Sequence, residues 1–219
     1  LGDAEVGVEA GAEYTDAGAT AADIVDGDLT DSISVDNPVD TSMPGVYTVT
    51  YSVSDALENK STITRKVTVG DTAAPVITLL GDAEITLEAG TEYTDAGATA
   101  SDTLDGDLTD NIIVVNPVKH LEPAIYNITY NVKDSSDNAA VQVSRKVTVV
   151  DTTAPVISLT GDSELTVEAG DAFTDAGATS LDTVDGDLTG ELVVVSTVDT
   201  SKPGEYTVTY SSSDTSDNK

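Results

Sequence analysis

The chain repeats itself three times. The segment Asp-Ala-Gly-Ala-Thr occurs in three places, at successive offsets of 79 and 80 residues, beginning at Asp16, Asp95 and Asp175. The string Asp-Gly-Asp-Leu-Thr recurs with the same two offsets. A fixed period of this length indicates a tandem array of similar units. We therefore predict three domains, which are 1–70 (without a first strand), 71–150 (complete) and 151–219 (without a last strand).

Within each copy, large apolar residues alternate with polar ones. In the segment Tyr126–Val132 every second residue is apolar, as a half-buried strand requires. Turn-forming Gly and Asp residues separate the other strand candidates of the second copy, which are Val76–Leu80, Ile85–Glu88, Tyr93–Ala100, Ile112–Val118 and Val141–Val149. No segment keeps a helical period of about 3.6 residues. This pattern predicts an all-β fold of tandem, antiparallel β-sandwiches arranged end to end, with almost no helix.

Charge excludes several classes of protein. The chain has 40 acidic and 9 basic residues, for a net charge of −31. Nucleic-acid binding and a polybasic membrane anchor both need a basic surface, so neither is expected. High charge with 4% aromatic residues is also typical of disorder, but the 39% of hydrophobic residues are patterned as strands. Without cysteine or an apolar run of about 18 residues, we expect no disulfide, no thiolate site and no membrane insertion, but a soluble piece of a larger protein.

A set of short motifs in the third copy resembles a known family. In chain order these are Asp-Thr-Thr-Ala-Pro-Val, Val-Glu-Ala-Gly, Phe-Thr-Asp-Ala-Gly-Ala, Asp-Gly-Asp-Leu-Thr and Lys-Pro-Gly-Glu-Tyr, all within Asp151–Tyr210. The order is similar to that of the bacterial immunoglobulin-like repeat, which occurs in tandem in secreted surface proteins and in one class of pesticidal crystal protein. The resemblance implies a first strand that kinks and continues in the same direction, a tyrosine corner at Tyr206, and an extracellular or cell-surface location.

The acidic loops predict a cation site. In a sandwich of this strand order, the Asp-Gly-Asp loop, the loop before the last strand and the entering linker lie at one end of the domain. Carboxylates about 4 Å apart repel by about 1 kcal/mol even in water, so a cation between them is favoured. Oxygen ligands without His or Cys favour Ca²⁺. An EF-hand is excluded, because twelve-residue loops counted from Asp102 or Asp105 end at Ile113 and Asn116, where a Glu is required.

What remains resembles the cadherin arrangement, in which Ca²⁺ lies at domain junctions and a far-end acid of the preceding domain completes the site. The candidate metal ligands are therefore the loop and linker acids and two such far-end acids, namely Asp23, Asp26, Asp28, Asp55, Asp71, Asp102, Asp105, Asp107, Asp134, Asp137, Asp151, Asp182, Asp185, Asp187, Asp214, Asp217, Glu9 and Glu88. The alternative is that these acids only form turns and keep the protein soluble. The Asp that opens each Asp-Ala-Gly-Ala-Thr segment is open to two interpretations, as a ligand or as a residue that hydrogen-bonds a turn.

Catalysis is not expected. The single histidine, His120, aligns with Thr41 and Thr200, so it belongs to no repeated constellation and fits an exposed turn. Two carboxylates can hydrolyse glycosides only when they flank a cleft, which acid-rich domain ends do not suggest. Hence we do not expect the chain to be an enzyme.

Two functions remain open. One is a calcium-stabilised extracellular stalk or spacer of a bacterial surface adhesin or secreted multidomain protein, whose partners are the neighbouring repeats. The alternative is an accessory module of a secreted enzyme that binds a carbohydrate or protein partner, such as a polysaccharide or a surface protein. Most tyrosines fall on the apolar side of the alternating strands, which favours the stalk. Ser212, where the other copies have Val, and the missing last strand predict that the third copy is the least stable.

Overall fold

The computed structural model describes residues 1–219 and is built from short strands joined by turns. Its only helical segments are three single 3₁₀ turns, at Thr30–Ser32, Thr109–Asn111 and Thr189–Glu191. None of its helices has the length and apolar character needed to cross a membrane. The strands are β1 (Glu5–Glu9), β2 (Ala22–Asp23), β3 (Gly27–Asp28), β4 (Ser34–Asp36), β5 (Gly45–Ser54), β6 (Lys60–Gly70), β7 (Val76–Leu79), β8 (Glu84–Glu88), β9 (Ala98–Asp102), β10 (Gly106–Asp107), β11 (Ile113–Val115), β12 (Ala124–Asn131), β13 (Val143–Val150), β14 (Val156–Leu159), β15 (Ala178–Asp182), β16 (Gly186–Asp187), β17 (Val193–Ser196) and β18 (Val208–Ser211).

The first two repeats share a four-stranded sheet, and the third repeat has the three-stranded sheet of the second repeat and two strands of the four-stranded one. The first repeat has the order β1-β6-β5-β4 and a separate β2-β3 hairpin, and the second has β11-β12-β13-β8 and β10-β9-β7. The third repeat has β14-β15-β16 and the pair β17-β18. The all-β class predicted from the alternation is therefore confirmed, as is the immunoglobulin-like class that the resemblance implies.

The first strand of the repeat divides between two sheets. In the second repeat, β7 pairs antiparallel with β9, whereas β8 pairs parallel with β13, with Glu84 opposite Lys146 and Glu88 opposite Val150. Gly81 lies between them with φ 72°, a left-handed conformation that glycine adopts without steric cost. The predicted kink is thus present. A parallel edge pair also occurs between β1 and β6, so the sheets are mixed and not purely antiparallel as predicted.

The residues group into two units that do not follow the repeat boundaries. Unit 1 comprises Leu1–Leu80, Gly97–Val114 and Tyr130–Val143, and unit 2 comprises Gly81–Ala96, Val115–Thr129 and Ser144–Lys219. The second repeat contributes residues to both units. The domain boundaries at residues 70 and 150 stay a prediction.

Alternation along β5 and β6 builds the core of the first repeat, within unit 1. Val49 and Val67 are fully buried and Tyr51 is nearly so. Around them pack half-buried apolar side chains from β1, from the loops and from the start of β5, namely Val8, Tyr14, Ala19, Ile33, Val39 and Tyr47. Because side chains alternate along a strand, the residues between these are more exposed, and on β5 Thr50 is half-buried.

Several predicted strands are shorter in the structure. The segment predicted as Tyr93–Ala100 becomes a strand only at Ala98, because its Asp-Ala-Gly stretch makes a turn, with φ 79° at Gly97. In the first repeat the same turn is closed by the Gly18 N–H, which donates to Asp16 Oδ2 at 3.0 Å. The predicted strand at 112–118 is restricted to β11, and the short hairpins made by the Asp-Gly-Asp loops were not predicted.

The predicted tyrosine corner is present in all three repeats. The hydroxyl of Tyr206 donates to the backbone oxygen of Lys202 at 3.2 Å. Tyr126 donates to Glu122 O at 2.9 Å and Tyr47 to Met43 O at 2.8 Å. Each tyrosine therefore ties the entry of its strand to the turn four residues earlier.

Candidate metal centre

Two groups of three carboxylates meet in the structure, one in each unit. Site A consists of Asp71, Asp105 and Asp134, in unit 1, and each contributes one carboxylate oxygen to a set that lies within 4.8 Å of one another. The three residues come from the linker, from the Asp-Gly-Asp loop and from the loop before β13. The sequence predicted that these three segments converge, and for site A they do.

Site B is the related group in unit 2. It consists of Asp151, Asp182 and Asp185, again with one oxygen each within 4.8 Å of the others. Asp151 is the linker residue equivalent to Asp71, and Asp185 is equivalent to Asp105. Asp182 opens the Asp-Gly-Asp loop, so site B draws two of its acids from that loop.

Turn chemistry fixes the Asp-Gly-Asp loop. Asp102 Oδ1 accepts hydrogen bonds from the N–H groups of Leu104 at 2.8 Å and Asp105 at 3.1 Å, which closes the loop on itself. Both oxygens of Asp105 then accept from Ser135, one from its N–H and one from its hydroxyl, each at 2.8 Å. These bonds hold the loop against the loop before β13, and in unit 2 Asp185 binds Thr215 in the same way.

The loop before β13 is anchored by a buried aspartate. Asp134 is 8% exposed and accepts from the N–H groups of Ser136 and Asn138 and from the Asn138 side chain at 2.8 Å. The Asn138 amide also donates to the backbone oxygen of Asp71 at 3.3 Å, which ties the loop to the linker. Asp214, Asn218 and Asp151 repeat this arrangement in unit 2.

Each site contains one oxygen whose bonding capacity is unused. The Oδ2 atoms of Asp71, in site A, and of Asp182, in site B, are buried and have no hydrogen-bond partner. A buried acceptor without a partner is costly, and a buried carboxylate is more so. A cation is one partner that would satisfy such an oxygen, and carboxylate oxygens are ligands that Ca²⁺ prefers.

The two far-end glutamates bind the linkers directly. Glu9 accepts from the Thr72 N–H and hydroxyl, both at 2.7 Å, and from the Ala73 N–H at 3.1 Å. Glu88 accepts from the N–H and hydroxyl of Thr152, both at 2.8 Å. The N–H groups of Thr72 and of Thr152, followed by the threonine hydroxyls, lower the pKa values of Glu9 and Glu88 respectively. Neither glutamate is part of site A or B, and both hold the residue that follows the linker aspartate.

The remaining predicted ligands lie outside the two sites. The second Asp of each Asp-Gly-Asp string accepts a hydrogen bond from the N–H of the threonine two residues later, and so caps the 3₁₀ turn. The hydroxyl and the N–H of that threonine lower the pKa values of these aspartates, which are Asp28, Asp107 and Asp187. Asp137 and Asp217 are exposed at turn positions of positive φ. Asp102 and Asp214 hold the loops next to sites A and B.

The first repeat has the equivalent loop acids, Asp23, Asp26 and Asp55. Asp23 Oδ1 accepts from the N–H groups of Val25 and Asp26, and Asp26 Oδ2 accepts from Ala56 N–H at 3.1 Å. Asp55 accepts from Asn59 as Asp134 does from Asn138. Hydrogen bonds from the Asp26 and Val25 N–H groups lower the pKa of Asp23, whereas the nearby charge of Asp55 opposes this shift. These acids do not form a third group of three.

The aspartate that opens the Asp-Ala-Gly-Ala-Thr segment serves the core. Asp16 forms a buried ion pair with Arg65 and accepts from the hydroxyls of Tyr51 and Tyr14. Of the two earlier interpretations, hydrogen bonding is therefore the one observed. The sequence carried a signal for this pair, because Arg65 and Arg145, the only two arginines, occupy matching places in the first two copies, each followed by Lys-Val-Thr-Val.

Comparisons with known proteins agree with this fold. The family model described as "Bacterial surface protein, Ig-like domain" matches residues 1–69, 77–149 and 157–219. The pesticidal crystal protein Cry22Aa of Bacillus thuringiensis is 36% identical over 205 residues, which is 89% of this chain and 27% of that protein's length.

Two solved structures show a more distant likeness. One is the M60 catalytic domain with two CBM51 domains from Clostridium perfringens ZmpB, with TM-score 0.38, 14% identity, and coverage of 72% of this chain and 32% of that one. The other is human CDH23 EC21-23, with TM-score 0.31, 17% identity, and coverage of 77% and 71%. The family match covers most of the chain, once per repeat, and the chain belongs to the family of bacterial surface protein Ig-like domains.

Proposed function

We propose that the chain is a non-catalytic, calcium-stabilised spacer of a bacterial surface or secreted multidomain protein. The observation that supports it best is the pair of buried, unpartnered carboxylate oxygens, Asp71 Oδ2 and Asp182 Oδ2, each inside a group of three acids. Family membership supports a bacterial surface location. Calcium and the spacer role are the new parts of the proposal.

The dimensions of the two sites suit a single Ca²⁺ ion. Ca²⁺–oxygen bonds of about 2.3–2.6 Å place ligands on opposite sides of the ion up to about 5 Å apart. The carboxylate oxygens of sites A and B lie within 4.8 Å of one another. Backbone carbonyls and water would complete the six to eight ligands that Ca²⁺ takes.

The ion would act mainly by holding the linker in place. At site A the ion would join Asp71 of the linker to Asp105 and Asp134 of the loops, and its two positive charges would offset two of the three negative charges. Glu9 already holds the next linker residue, Thr72. The linker would then be fixed on both sides, by the glutamate that precedes it and by the ion.

Calorimetric titration of the chain with Ca²⁺ tests the proposal. We expect two ions per chain, and one ion in each of the variants Asp105→Asn and Asp185→Asn. The matched controls are Asp107→Asn and Asp187→Asn, which remove the same charge from the same loops but from residues that cap the 3₁₀ turns. The controls are expected to keep both ions.

The measurement also has clear contrary outcomes. If the chain binds no Ca²⁺ at millimolar concentration, or if all four variants lose binding equally, the acids act only as a diffuse charged surface. If Ca²⁺ binds but has no effect on the melting temperature, the ion does not stabilise the fold, because a ligand at about a hundredfold excess over Kd adds about 2.7 kcal/mol. Polysaccharide binding by the calcium-loaded chain would favour the accessory-module alternative instead.

A further inference from the structure

Two strands of the second repeat, β8 and β13, lie side by side and run in the same direction. They are joined by five consecutive residue pairs. Backbone hydrogen bonds continue this ladder at both ends, from the N–H of Lys146 to Ala83 O at 2.9 Å and from the N–H of Ala89 to Val150 O at 2.7 Å. The two strands are therefore paired over the whole length of β8.

The order of these strands along the chain decides how a pull acts on them. The chain reaches β8 at Glu84 and leaves β13 at Val150. Because the strands are parallel, these two residues lie at opposite ends of the ladder. A pull transmitted along the chain therefore draws β8 and β13 in opposite directions, and all five pairs share the load as shear. In an antiparallel pair the two residues would lie at the same end, and the bonds would break one at a time.

A buried arginine ties the two strands at the end where the chain reaches β8. Arg145, in β13, is 0% exposed, and its Nε donates to the backbone oxygen of Asp82 at 2.8 Å. Its guanidinium also pairs with Asp95. Asp82 precedes β8 and Asp95 follows it, so one side chain of β13 holds the chain on both sides of β8. A charge-assisted contact away from water is stronger than a neutral, exposed one.

We infer that the second repeat resists tension along the chain through a shear lock, which consists of the β8–β13 ladder and Arg145. The inference rests on the proposed spacer role, because a spacer transmits a pull from one neighbour to the next. It goes beyond that role by assigning the resistance to one strand pair and one side chain. The first repeat has the same parallel ladder between β1 and β6, next to the Arg65–Asp16 ion pair.

Single-molecule stretching tests the lock through the direction of the pull. The chain has no cysteine, so two introduced cysteines define where the handles attach. Ala83→Cys with Thr153→Cys places the handles before β8 and after β13, which loads the ladder in shear. Thr91→Cys with Thr153→Cys places both handles at the same end of the ladder, which is then peeled from Val150 onwards. All three positions are exposed, and both variants lose the same threonine hydroxyl at residue 153.

The two pulling directions are compared in the presence of a calcium chelator, so the result does not depend on sites A and B. We expect the shear variant to unfold at about twice the force of the peel variant or more, because five pairs must break together and forced unfolding follows the unfolding barrier. Equal forces in the two directions would overturn the inference. Calorimetric titration with Ca²⁺ remains the separate test of the proposed function, so each can fail without the other.

The substitution Arg145→Gln, made in both handle variants, tests the side-chain tie. Peeling starts at the end of the ladder away from Arg145, so this contact is still formed when peeling begins. We therefore expect a lower shear force and a nearly unchanged peel force. Lys146→Gln is the matched control, because its ion pair with Glu84 joins the same two strands through side chains that are 41% and 72% exposed. It is expected to change neither force.

Two results would overturn the role of the arginine. One is an Arg145→Gln substitution that lowers both forces by the same factor, because the side chain would then affect only overall stability. The other is a Lys146→Gln substitution that lowers the shear force as much as Arg145→Gln does. The two handle variants that keep Arg145 test the ladder by themselves, whether or not Arg145→Gln folds.

Discussion

Glu88, the last residue of β8, accepts two hydrogen bonds from Thr152, one from the N–H and one from the hydroxyl, both at 2.8 Å. Glu9 and Thr72 form the same pair, both bonds at 2.7 Å. Next to each linker aspartate, a glutamate therefore contacts a distant threonine. The two residues are 64 positions apart in the second linker and 63 in the first. This pair orients the linker through hydrogen bonds alone.

Replacing Thr152 with Val should loosen the second linker. The change removes the hydroxyl donor to Glu88 and keeps the shape of the side chain, so amide exchange at Thr152 and Thr153 is expected to quicken several-fold in the calcium-free chain. Hydrogen exchange measured residue by residue checks this. Thr148→Val, in β13, is the matched control, and equal quickening in that variant would contradict a local role for the Glu88 contact.

The buried arginines are expected to stabilise their repeats strongly. Arg145→Gln leaves Asp95 with its charge and without its ion-pair partner, so we expect a loss of about 3 to 5 kcal/mol in the free energy of unfolding. Lys146→Gln is the control on the next residue, because its ion pair with Glu84 joins side chains that are 41% and 72% exposed. Such surface pairs contribute about 1 kcal/mol or less. Similar losses in denaturant unfolding of the two variants would contradict the argument.

Acid should destabilise the first repeat through Asp16. Burial raises the pKa of Asp16, but hydrogen bonds from the Tyr51 and Tyr14 hydroxyls, the Gly18 N–H and Arg65 outweigh it, so the net pKa lies below its ordinary value. The folded pKa is therefore lower than the unfolded value of about 3.9.

The resulting stabilisation is complete above the unfolded pKa and is lost as the pH falls through the folded pKa. Denaturant unfolding of wild-type chain and of Asp16→Asn between about pH 5 and pH 2 measures it. We expect the two curves to approach each other as the pH falls. A constant difference would show that Asp16 does not change protonation on unfolding.

Two serines in the third repeat should act as a pair. Ser180, which is fully buried, bonds the Ser212 hydroxyl at 2.9 Å where the second repeat has Ala100 and Val132. Ser212→Val alone leaves the Ser180 hydroxyl buried and unpaired, which costs about 1 to 3 kcal/mol. Adding Ser180→Ala should restore stability to the wild-type level or above. A double-mutant cycle with additive effects would contradict the pairing.

A close contact between Gly90 and Thr183 should make any larger residue at position 90 destabilising. Gly90 has φ 88°, and a Cβ built there would lie 2.8 Å from Thr183 Cγ2. Gly11, the equivalent residue, has φ 76°, and its Cβ would lie 3.5 Å from Thr103 Cγ2. Both alanine variants should lose about 1 kcal/mol from backbone strain, and Gly90→Ala more.

A second substitution, at Thr183, tests whether the close contact with Gly90 causes the additional loss of stability. Thr183→Ser removes the methyl group that the new Cβ would meet, so it should return Gly90→Ala to the stability of Gly11→Ala. Thermal melting of Gly11→Ala, Gly90→Ala, Thr183→Ser and the double variant Gly90→Ala with Thr183→Ser measures this. If Thr183→Ser brings no recovery, the cost at Gly90 is backbone strain alone.

The sequence predicted the fold well because its signals were local and repeated. Alternation located most strands, and Pro203 and Gly204 before Tyr206 marked the tyrosine corner that the structure shows. The segment Tyr93–Ala100 was predicted as one strand because it lies between two segments with turn-forming residues. An Asp-Ala-Gly turn interrupts this segment, and in the first repeat the side chain of Asp16 closes the equivalent turn on Gly18.

The site was predicted less completely, because composition names the acids but not their partners. Convergence of Asp71, Asp105 and Asp134 followed from strand order. The capping role of Asp107 and the linker contact of Glu88 depend on threonines two and 64 residues away, which no acidic motif identifies. Ser212 was interpreted only as a weaker core residue, because its partner Ser180 lies 32 residues earlier.

The burial of both arginines gives a built-in reporter of unfolding. Arg65 and Arg145 are 5% and 0% exposed and lie in the middle of paired strands. A protease that cleaves only after arginine can therefore cut the chain only when β6 or β13 has separated from its neighbouring strands. Each cut identifies one opened repeat, and the rates of the two cuts, compared with and without Ca²⁺, measure the opening of the first and second repeats separately in the intact chain.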